Sequence, residues 1–371
     1  MRFKKLRLVV KIVNSNYQIY KVGGAVRDKL LGIESSDNDY VVVGADPKTM
    51  KKLGFIEVGK SFPVFLDSKN REEYALARKE QKTGLGYQGF KFEIENVTLE
   101  EDLKRRDLTI NAIAENRNGD LIDPFNGIQD LQNRILKHVS ISFREDPVRV
   151  LRLARFQAIF PNFQIAESTK ELVLDMLQNG ELKSLTKERI YIELQKMVLK
   201  SNSPHLFFKS LDNLQVLQEI FPYLKIENLD YLKEIGKISN LELISILSLH
   251  IDSKILRNEL LLENSIYTNI LRFQRFNHLF NENLEVETIL NIMQIFKTAE
   301  QLEIVISLFN KIYRKNIDQT LFHSLFLEYK DAGKVLITLQ HLPKKEKISF
   351  LYNLRLKLLN NIIINSKMDT F

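Results

Sequence analysis

The sequence contains no cysteine among its 371 residues. It therefore cannot form disulfides, hold a metal through thiolates or use a cysteine nucleophile, and any metal site would have only oxygen or imidazole ligands. No apolar run is long enough to span a bilayer. The apolar part of the basic start is interrupted by Lys11 and no small-residue cleavage site follows, so we expect no signal peptide and a cytoplasmic protein.

Basic residues outnumber acidic ones by 54 to 47, which gives a formal net charge of +7. This balance favours a polyanionic partner, and by itself it leaves nucleic acid, a nucleotide and an anionic surface all open. The chain is longer than a usual single domain. We expect two or more domains, or one compact head with a helical extension.

The sequence pattern changes near Pro147. From about residue 17 to 120, short apolar or alternating runs such as YQIYKV and DNDYVVVG are separated by turn residues, as strands are. The segment AVRDKLLG indicates a helix that begins at a double glycine and ends at Gly32. After Pro147, apolar residues recur at helical spacing. The pattern predicts an α/β or α+β head followed by an all-α half.

Asp37 and Asp39 stand at the start of a predicted strand, whose period of two places both carboxylates on one face. Hard divalent cations such as Mg²⁺ prefer carboxylate oxygens and are usually completed by substrate phosphates. The alternative is a polar turn before a strand, since Ser-Ser-Asp-Asn-Asp is also good turn composition.

The pair Gly23-Gly24 would let backbone amides approach a phosphate closely at the start of the predicted helix, with Arg27 one turn further on. Neither a GxGxxG fingerprint nor a P-loop GKS or GKT is present. The alternative is an ordinary strand-to-helix turn beside a solvated arginine.

Two later segments concentrate arginine beside acid. In EEDLKRRDLTINA, Arg106 could bind a triphosphate and Asp107 could orient it, with Asn111 four residues beyond Asp107 on one helical face; a surface helix of mixed charge is the alternative. In EDPVRVLRLARF, the arginines recur every three residues and predict a basic ridge on a helix. Asp146 before Pro147 also suits a helix N-cap, which needs no ligand.

Taken in order, five segments resemble the class II tRNA nucleotidyltransferases, the CCA-adding enzymes of the poly(A) polymerase superfamily. They are VGGAVRD, DNDYVVVGA, EEDLKRRDLTINAIA, DPFNGIQDLQNRIL and EDPVRVLRLARF. The resemblance runs from about Ile19 to about Pro222. It implies an α+β fold: a nucleotidyltransferase head with a mixed β-sheet over 19–140, an all-α neck over 141–222, and an all-α body and tail over 223–371. Residues 1–18 would be an extension or a mistaken start.

The resemblance also implies roles for individual residues. Asp37 and Asp39 would be the catalytic carboxylates that hold Mg²⁺, while Asp146 and Arg149 would read the Watson–Crick edge of CTP or ATP. A third acid among Glu100, Glu101 and Asp102 stays unassigned. The positions that match nucleotide-binding residues of the family are Gly24, Arg27, Arg106, Arg152 and Arg155.

The implied activity is addition and repair of the tRNA 3′-terminal CCA from CTP and ATP, without a nucleic-acid template. The alternatives are a poly(A) polymerase, a partial CC- or A-adding enzyme, or a non-catalytic RNA-binding protein. The glycine-rich segment from Lys82 to Phe90 lies where the family has a loop needed for A addition, which favours full CCA synthesis. The absence of any His-Asp dipeptide argues against an HD phosphohydrolase domain. We expect a monomer whose partners are tRNA and the two nucleotides, without a membrane.

Overall fold

A computed structural model describes residues 17–34, 38–58, 64–82, 90–225, 229, 232–281, 285–335 and 343–365. The chain divides into two compact units. The first contains the described residues up to Glu193 together with His205–Pro222, and the second contains Leu194–Pro204 and the described residues from Tyr223 onward.

A mixed sheet of seven strands forms the first part of unit 1. The strands lie in the order β3-β4-β5-β2-β1-β8-β9, with β2 and β5 parallel and the other neighbours antiparallel. This confirms the predicted α+β class with a mixed sheet. The strands are β1 Gln18–Val22, β2 Asp39–Val43, β3 Ile56–Val58, β4 Val64–Leu66, β5 Glu73–Leu76, β6 Lys79–Lys82, β7 Phe90–Glu93, β8 Ala114–Glu115, β9 Leu121–Ile122, β10 Ile135–Leu136 and β11 Gln164–Ile165.

Strand β2 shows how the alternation of the sequence builds this layer. Val41 lies in a buried cluster with Val22 and Leu103 on one face of the sheet. Val42 lies in a second cluster with Phe65 on the other face. Because successive side chains of a strand point to opposite faces, the run YVVV supplies both clusters.

Helices make up most of the chain after β9. Thr109–Asn111, Ile141–Glu145 and Glu181–Ser184 are short 3₁₀ turns. None of the described helices is both long and apolar enough to cross a membrane. The helices are α1 Gly24–Leu30, α2 Pro47–Lys52, α3 Leu99–Lys104, α4 Gly127–Asn133, α5 Val148–Ile159, α6 Glu167–Gln178, α7 Lys187–Lys200, α8 His205–Asn213, α9 Leu217–Ile220, α10 Leu232–Ile235, α11 Asn240–Leu247, α12 Ser253–Glu259, α13 Asn264–Phe280, α14 Val286–Met293, α15 Ala299–Tyr313, α16 Gln319–Lys334 and α17 Lys344–Asn365.

Unit 2 is helical and contains a cluster of phenylalanines in contact with one another. Phe276 on α13 lies 5.4 Å from Phe280 and 5.4 Å from Phe309 on α15, measured between ring centroids. Phe322 on α16 lies 6.3 Å from Phe276. The helical second half predicted after Pro147 is confirmed for most of its length, and the exception is the two-residue strand β11, which pairs with β10.

Candidate functional site

The double glycine lies at the end of β1, beside the first residue of β2. Val22 is the antiparallel partner of Asp39 in the sheet. Gly23 has φ 70° and ψ −132°, a conformation that favours glycine. A Cβ at Gly23 would lie 3.0 Å from Nη1 of Arg106. The turn therefore brings Asp39, the start of α1 and an arginine of the RRD segment together.

Gly24, the first residue of α1, has different surroundings. A Cβ there would meet only Nη2 of Arg27 among the described atoms, at 3.6 Å, which is an ordinary contact distance. The packing of the protein itself therefore does not require a glycine at this position.

The sheet register gives Asp39 an acidic neighbour. Strands β2 and β5 run parallel, and Asp39 is the partner of Glu73. Paired residues of adjacent strands project from the same face, and both carboxylates are exposed. Asp37 lies outside the described residues, and the described ones contain no cluster of three or more His, Asp or Glu side chains able to hold a metal. The carboxylate oxygens of Asp39 and Glu73 nevertheless suit a hard divalent cation.

Arg106 is held beside the glycine turn by two contacts. Its Nη2 donates to Oδ2 of Asp102 at 3.3 Å, and its Nη1 donates to the main-chain oxygen of Asn111 at 3.4 Å. Its Nε is buried and has no hydrogen-bond partner among the described residues. A buried N–H without an acceptor is costly, so Arg106 has an unused donor next to Gly23.

The acidic residues 100–102 support this arginine and α3. Asp102 is fully buried and accepts from Arg105 at 2.6 Å as well as from Arg106. Burial alone would raise the pKa of Asp102, but the charges of the two arginines outweigh it and lower that pKa. Glu101 completes the capping box at the start of α3. Asp102 and Glu101 thus both have structural partners.

Arg27 is buried and packs against α5. Its guanidinium lies 5.1 Å and 5.2 Å from the ring centroids of Phe156 and Phe160. Nη1 donates to Oδ1 of Asn111 at 2.6 Å, and Nε and Nη2 donate to Oδ1 of Asp28 at 2.8 Å and 2.7 Å. These contacts fix Arg27 between α1 and α5, whereas the sequence alone suggests a cation one turn beyond a phosphate site.

Asn111 links Arg27 to Asp107 and, through it, to Arg152. Asn111 Nδ2 donates to Oδ1 of Asp107 at 3.0 Å, and Arg152 donates to Oδ2 of Asp107 from Nε at 2.8 Å. Burial alone would raise the pKa of Asp107, but the Arg152 charge and these hydrogen bonds hold it well below its ordinary value. Asp107 and Asn111 meet as predicted, although not on one helix: α3 ends at Lys104 and Asn111 closes a 3₁₀ turn.

Asp146 accepts a main-chain hydrogen bond at the start of α5 and forms a two-pronged ion pair. Its Oδ1 accepts from the main-chain N–H of Val148 at 3.2 Å, but the N-cap of α5 is Pro147, not Asp146 as predicted. Arg189 of α7 donates from Nη1 to Oδ1 and from Nη2 to Oδ2, each at 2.7 Å. The carboxylate therefore accepts both from the first residue of α5 and from an arginine of α7.

The arginines of α5 have separate protein partners, which corrects the predicted basic ridge. Arg149 donates to the main-chain oxygens of Ser142 and Arg105, each at 2.6 Å. Arg155 donates to Oε2 of Glu193 at 2.7 Å, and Arg149 and Arg155 are both buried. A three-residue spacing shows which side chains share a helix face, but it does not show that acids and carbonyls of other segments cover that face.

Three residues at the site belong to none of the sequence motifs. Glu73 follows from the β2–β5 register, and Arg189 and Glu193 lie four residues apart on α7. A signal for the last two exists in the sequence, since an i, i+4 Arg–Glu pair on an amphipathic helix has the spacing to meet two charges on a neighbouring helix. The sequence does not identify the partners of this pair, because they become neighbours only when α7 packs against α5.

Comparison with known proteins identifies the family of this chain. Residues 19–137 match the family described as Poly A polymerase head domain, and residues 162–227 match the one described as Probable RNA and SrmB- binding site of polymerase A. A CCA-adding enzyme of Francisella tularensis subsp. novicida is 45% identical over 337 residues, which cover 87% of this chain and 86% of the relative. A multifunctional CCA protein of Haemophilus influenzae is 51% identical over 207 residues, which cover 55% of this chain and 50% of that relative.

A solved structure shares the fold at low sequence identity. The apo form II of a CCA-adding enzyme superposes with a TM-score of 0.70 and 23% identity, covering 97% of this chain and 92% of that one. The near full-length relationship to the Francisella protein, together with the head-domain match, shows that this chain belongs to the CCA-adding enzyme family of nucleotidyltransferases.

Proposed function

We propose that this protein adds and repairs the 3′-terminal CCA of tRNA, taking CTP and ATP as substrates and releasing pyrophosphate. The observation that carries the proposal is the position of Arg106. Its side chain is 18% exposed, and Nη1 lies against Gly23, one residue beyond the strand position that pairs with Asp39. A triphosphate is an acceptor that this guanidinium and the nearby backbone would bind.

The carboxylates fit the divalent metal that the family uses. Asp37 and Asp39 would hold Mg²⁺, and Glu73 is a further oxygen donor on the neighbouring strand. When bound in a pair, such ions lower the pKa of an attacking hydroxyl and neutralise charge on the α-phosphate and the departing pyrophosphate. Asp39 and Glu73 stand on neighbouring strands of the sheet, which fixes the direction of these two side chains.

The reaction itself is an in-line transfer of a nucleotidyl group. The tRNA 3′ oxygen forms a bond to the α-phosphorus, the bond from that phosphorus to the β-phosphate bridging oxygen breaks, and the hydroxyl proton leaves to solvent. Arg106 would hold the triphosphate in line, because Asp102 and the Asn111 carbonyl already orient its guanidinium. The network from Arg27 to Arg152 would keep α5 in place beside the head.

The head and neck would divide the work. Residues 19–140 would carry the chemistry and 141–222 the base selection, while the helices of 223–371 would contact tRNA or serve structure. Asp146 would accept from the exocyclic amino group that C and A share, and Arg149 would donate to the adjacent ring position. A base with a carbonyl in place of that amino group would meet a second acceptor. We expect a cytoplasmic monomer.

Product length on tRNA tests the proposal. The protein is incubated with Mg²⁺, a tRNA transcript that lacks CCA, and CTP, ATP, UTP or GTP alone or in pairs. We expect two residues from CTP and a third from ATP only after them. Longer A tracts would indicate a poly(A) polymerase, and a stop at CC or a need for preformed CC would indicate a partial enzyme. Residues 83–89, on which the expectation of A addition depends, lie outside the described residues.

The carboxylates give a second test. Asp39→Ala and Asp37→Ala should each abolish CMP addition while tRNA binding persists. CMP addition at the wild-type rate in both variants would contradict catalysis by these residues.

A further inference from the structure

The Asp146 carboxylate has little acceptor capacity left after its protein contacts. An ionised carboxylate offers about four lone-pair positions. Oδ1 accepts from both Arg189 Nη1 and the Val148 N–H, and Oδ2 accepts from Arg189 Nη2. Within the described part of the chain, one position on Oδ2 is left for a base.

Arg189 determines which lone-pair position of the Asp146 carboxylate remains free to accept. A guanidinium that donates from both terminal nitrogens locks the plane of a carboxylate, which a single cation at one oxygen does not do. The two side chains are about equally covered, with 24% of Arg189 and 19% of Asp146 exposed. Both side chains therefore keep some accessible surface.

The anchoring of α7 makes this arrangement rigid. Four residues after Arg189, Glu193 forms a second ion pair with α5 through Arg155, and both of those side chains are buried. Two ion pairs of opposite polarity thus join α5 and α7. Arg189 cannot shift along α5 without breaking the buried pair as well.

We infer that Arg189 is a specificity-determining positioning residue: its two-pronged ion pair aims a single acceptor, Oδ2 of Asp146, at the exocyclic amino group of the incoming base. The inference rests on the proposed reading of the base by Asp146. Without Arg189 the Asp146 carboxylate would rotate freely, and its oxygens could move away from the carbonyl oxygen of UTP, so that the repulsion between these acceptors would be relieved. Discrimination between CTP and UTP would then fall more than the rate with CTP.

The test compares Arg189→Met with Arg144→Met, a matched control. Arg144 also pairs with carboxylates in the same unit, but its acceptors are Glu181, at 2.6 Å, and Asp175, at 3.0 Å, rather than Asp146. The readout is kcat/KM for CMP and for UMP addition to tRNA lacking CCA. We expect the CMP-to-UMP ratio to fall about tenfold or more in Arg189→Met and to stay at the wild-type value in Arg144→Met. An equal loss for both nucleotides, with the ratio unchanged, would show a merely structural role and overturn the inference.

A double-mutant cycle shows whether Arg189 acts through Asp146. In the Asp146→Asn background, Arg189→Met should change the ratio no further. Additive effects would overturn the inference and leave base reading by Asp146 intact. If Asp146→Asn alone leaves the ratio unchanged, the proposed base reading fails and the inference fails with it.

Arg189→Lys separates charge from geometry and replaces Arg189→Met should that variant fail to fold. Lysine keeps the charge but presents a point cation instead of a fork. We expect a ratio between those of the wild type and Arg189→Met, with a midpoint of thermal unfolding close to that of the wild type. A wild-type ratio in Arg189→Lys would show that the charge suffices, which would overturn the role of the two-pronged geometry.

Discussion

The two units bury different kinds of polar group. In the described part of unit 1, six charged side chains are buried, and they form or support the network around the glycine turn and α5. They are Arg27, Asp102, Asp107, Arg149, Arg155 and Glu193. In the described part of unit 2, the buried polar residues are serines, at positions 201, 245, 248 and 253.

The contrast concerns the free-energy cost of burying charge. Burying charge is expensive, and a buried ion pair is often no more stabilising than apolar residues of the same volume. Unit 2 avoids that cost and packs phenylalanine on phenylalanine. Unit 1 bears that cost, and the proposed function would explain why: a polyanionic substrate would need arginines whose directions are fixed before binding.

The largest effect on stability should come from removing one partner of a buried pair. Glu193→Ala leaves the Arg155 guanidinium buried without its acceptor, and we expect unit 1 to lose ~3–5 kcal/mol of unfolding free energy. Urea unfolding followed by circular dichroism measures this. The control is Lys311→Ala in unit 2, which breaks a partly exposed pair with Glu242 and should cost less than ~1 kcal/mol. Equal losses would remove the distinction between the units.

Acid should weaken unit 1 through Asp107. Because the pKa of this carboxyl is lower in the folded than in the unfolded chain, its contribution is complete above the unfolded value of about 4 and is lost as pH falls below it. Asp107→Asn removes that titration. We expect the decline of unfolding free energy between about pH 4 and pH 2 to be shallower by ~2 kcal/mol in the variant. An identical decline in both proteins would show that Asp107 does not carry it.

The sequence predicted the order of the elements better than their contacts. The strand–glycine–helix unit and the mostly helical second half follow from local pattern and were confirmed, since each depends on residues a few positions apart. The partners of Arg27 and Arg149 lie far along the chain, at separations such as 84 and 44 residues. Local spacing rules cannot predict contacts at such separations. The prediction of a basic ridge on α5 was therefore wrong, although its arginines do lie among the residues of the candidate site.

A volume change in the apolar unit should cost less than a broken buried ion pair. Phe276 is fully buried and its ring meets those of Phe280 and Phe309. Phe276→Leu keeps the site apolar but leaves part of the ring volume empty, and we expect a loss of ~1–2 kcal/mol from unit 2. The same urea titration reports it. A loss as large as that of Glu193→Ala would mean that unit 2 tolerates change no better than unit 1.

The smallest effect on stability should accompany a large effect on activity, at Gly24. An added Cβ would lie 3.6 Å from Nη2 of Arg27, an ordinary contact, so Gly24→Ala should change unfolding free energy by less than ~0.5 kcal/mol. If the backbone here must approach a triphosphate, the methyl group will hold the phosphates off, and kcat/KM for CTP and ATP should fall together by about 10- to 100-fold. Gly333→Ala on α16, where the added Cβ would face the flexible end of Arg355 at 3.1 Å, is the matched control and should leave activity unchanged. Wild-type activity in Gly24→Ala would place the triphosphate elsewhere, and the glycine would then have only the structural role of opening α1.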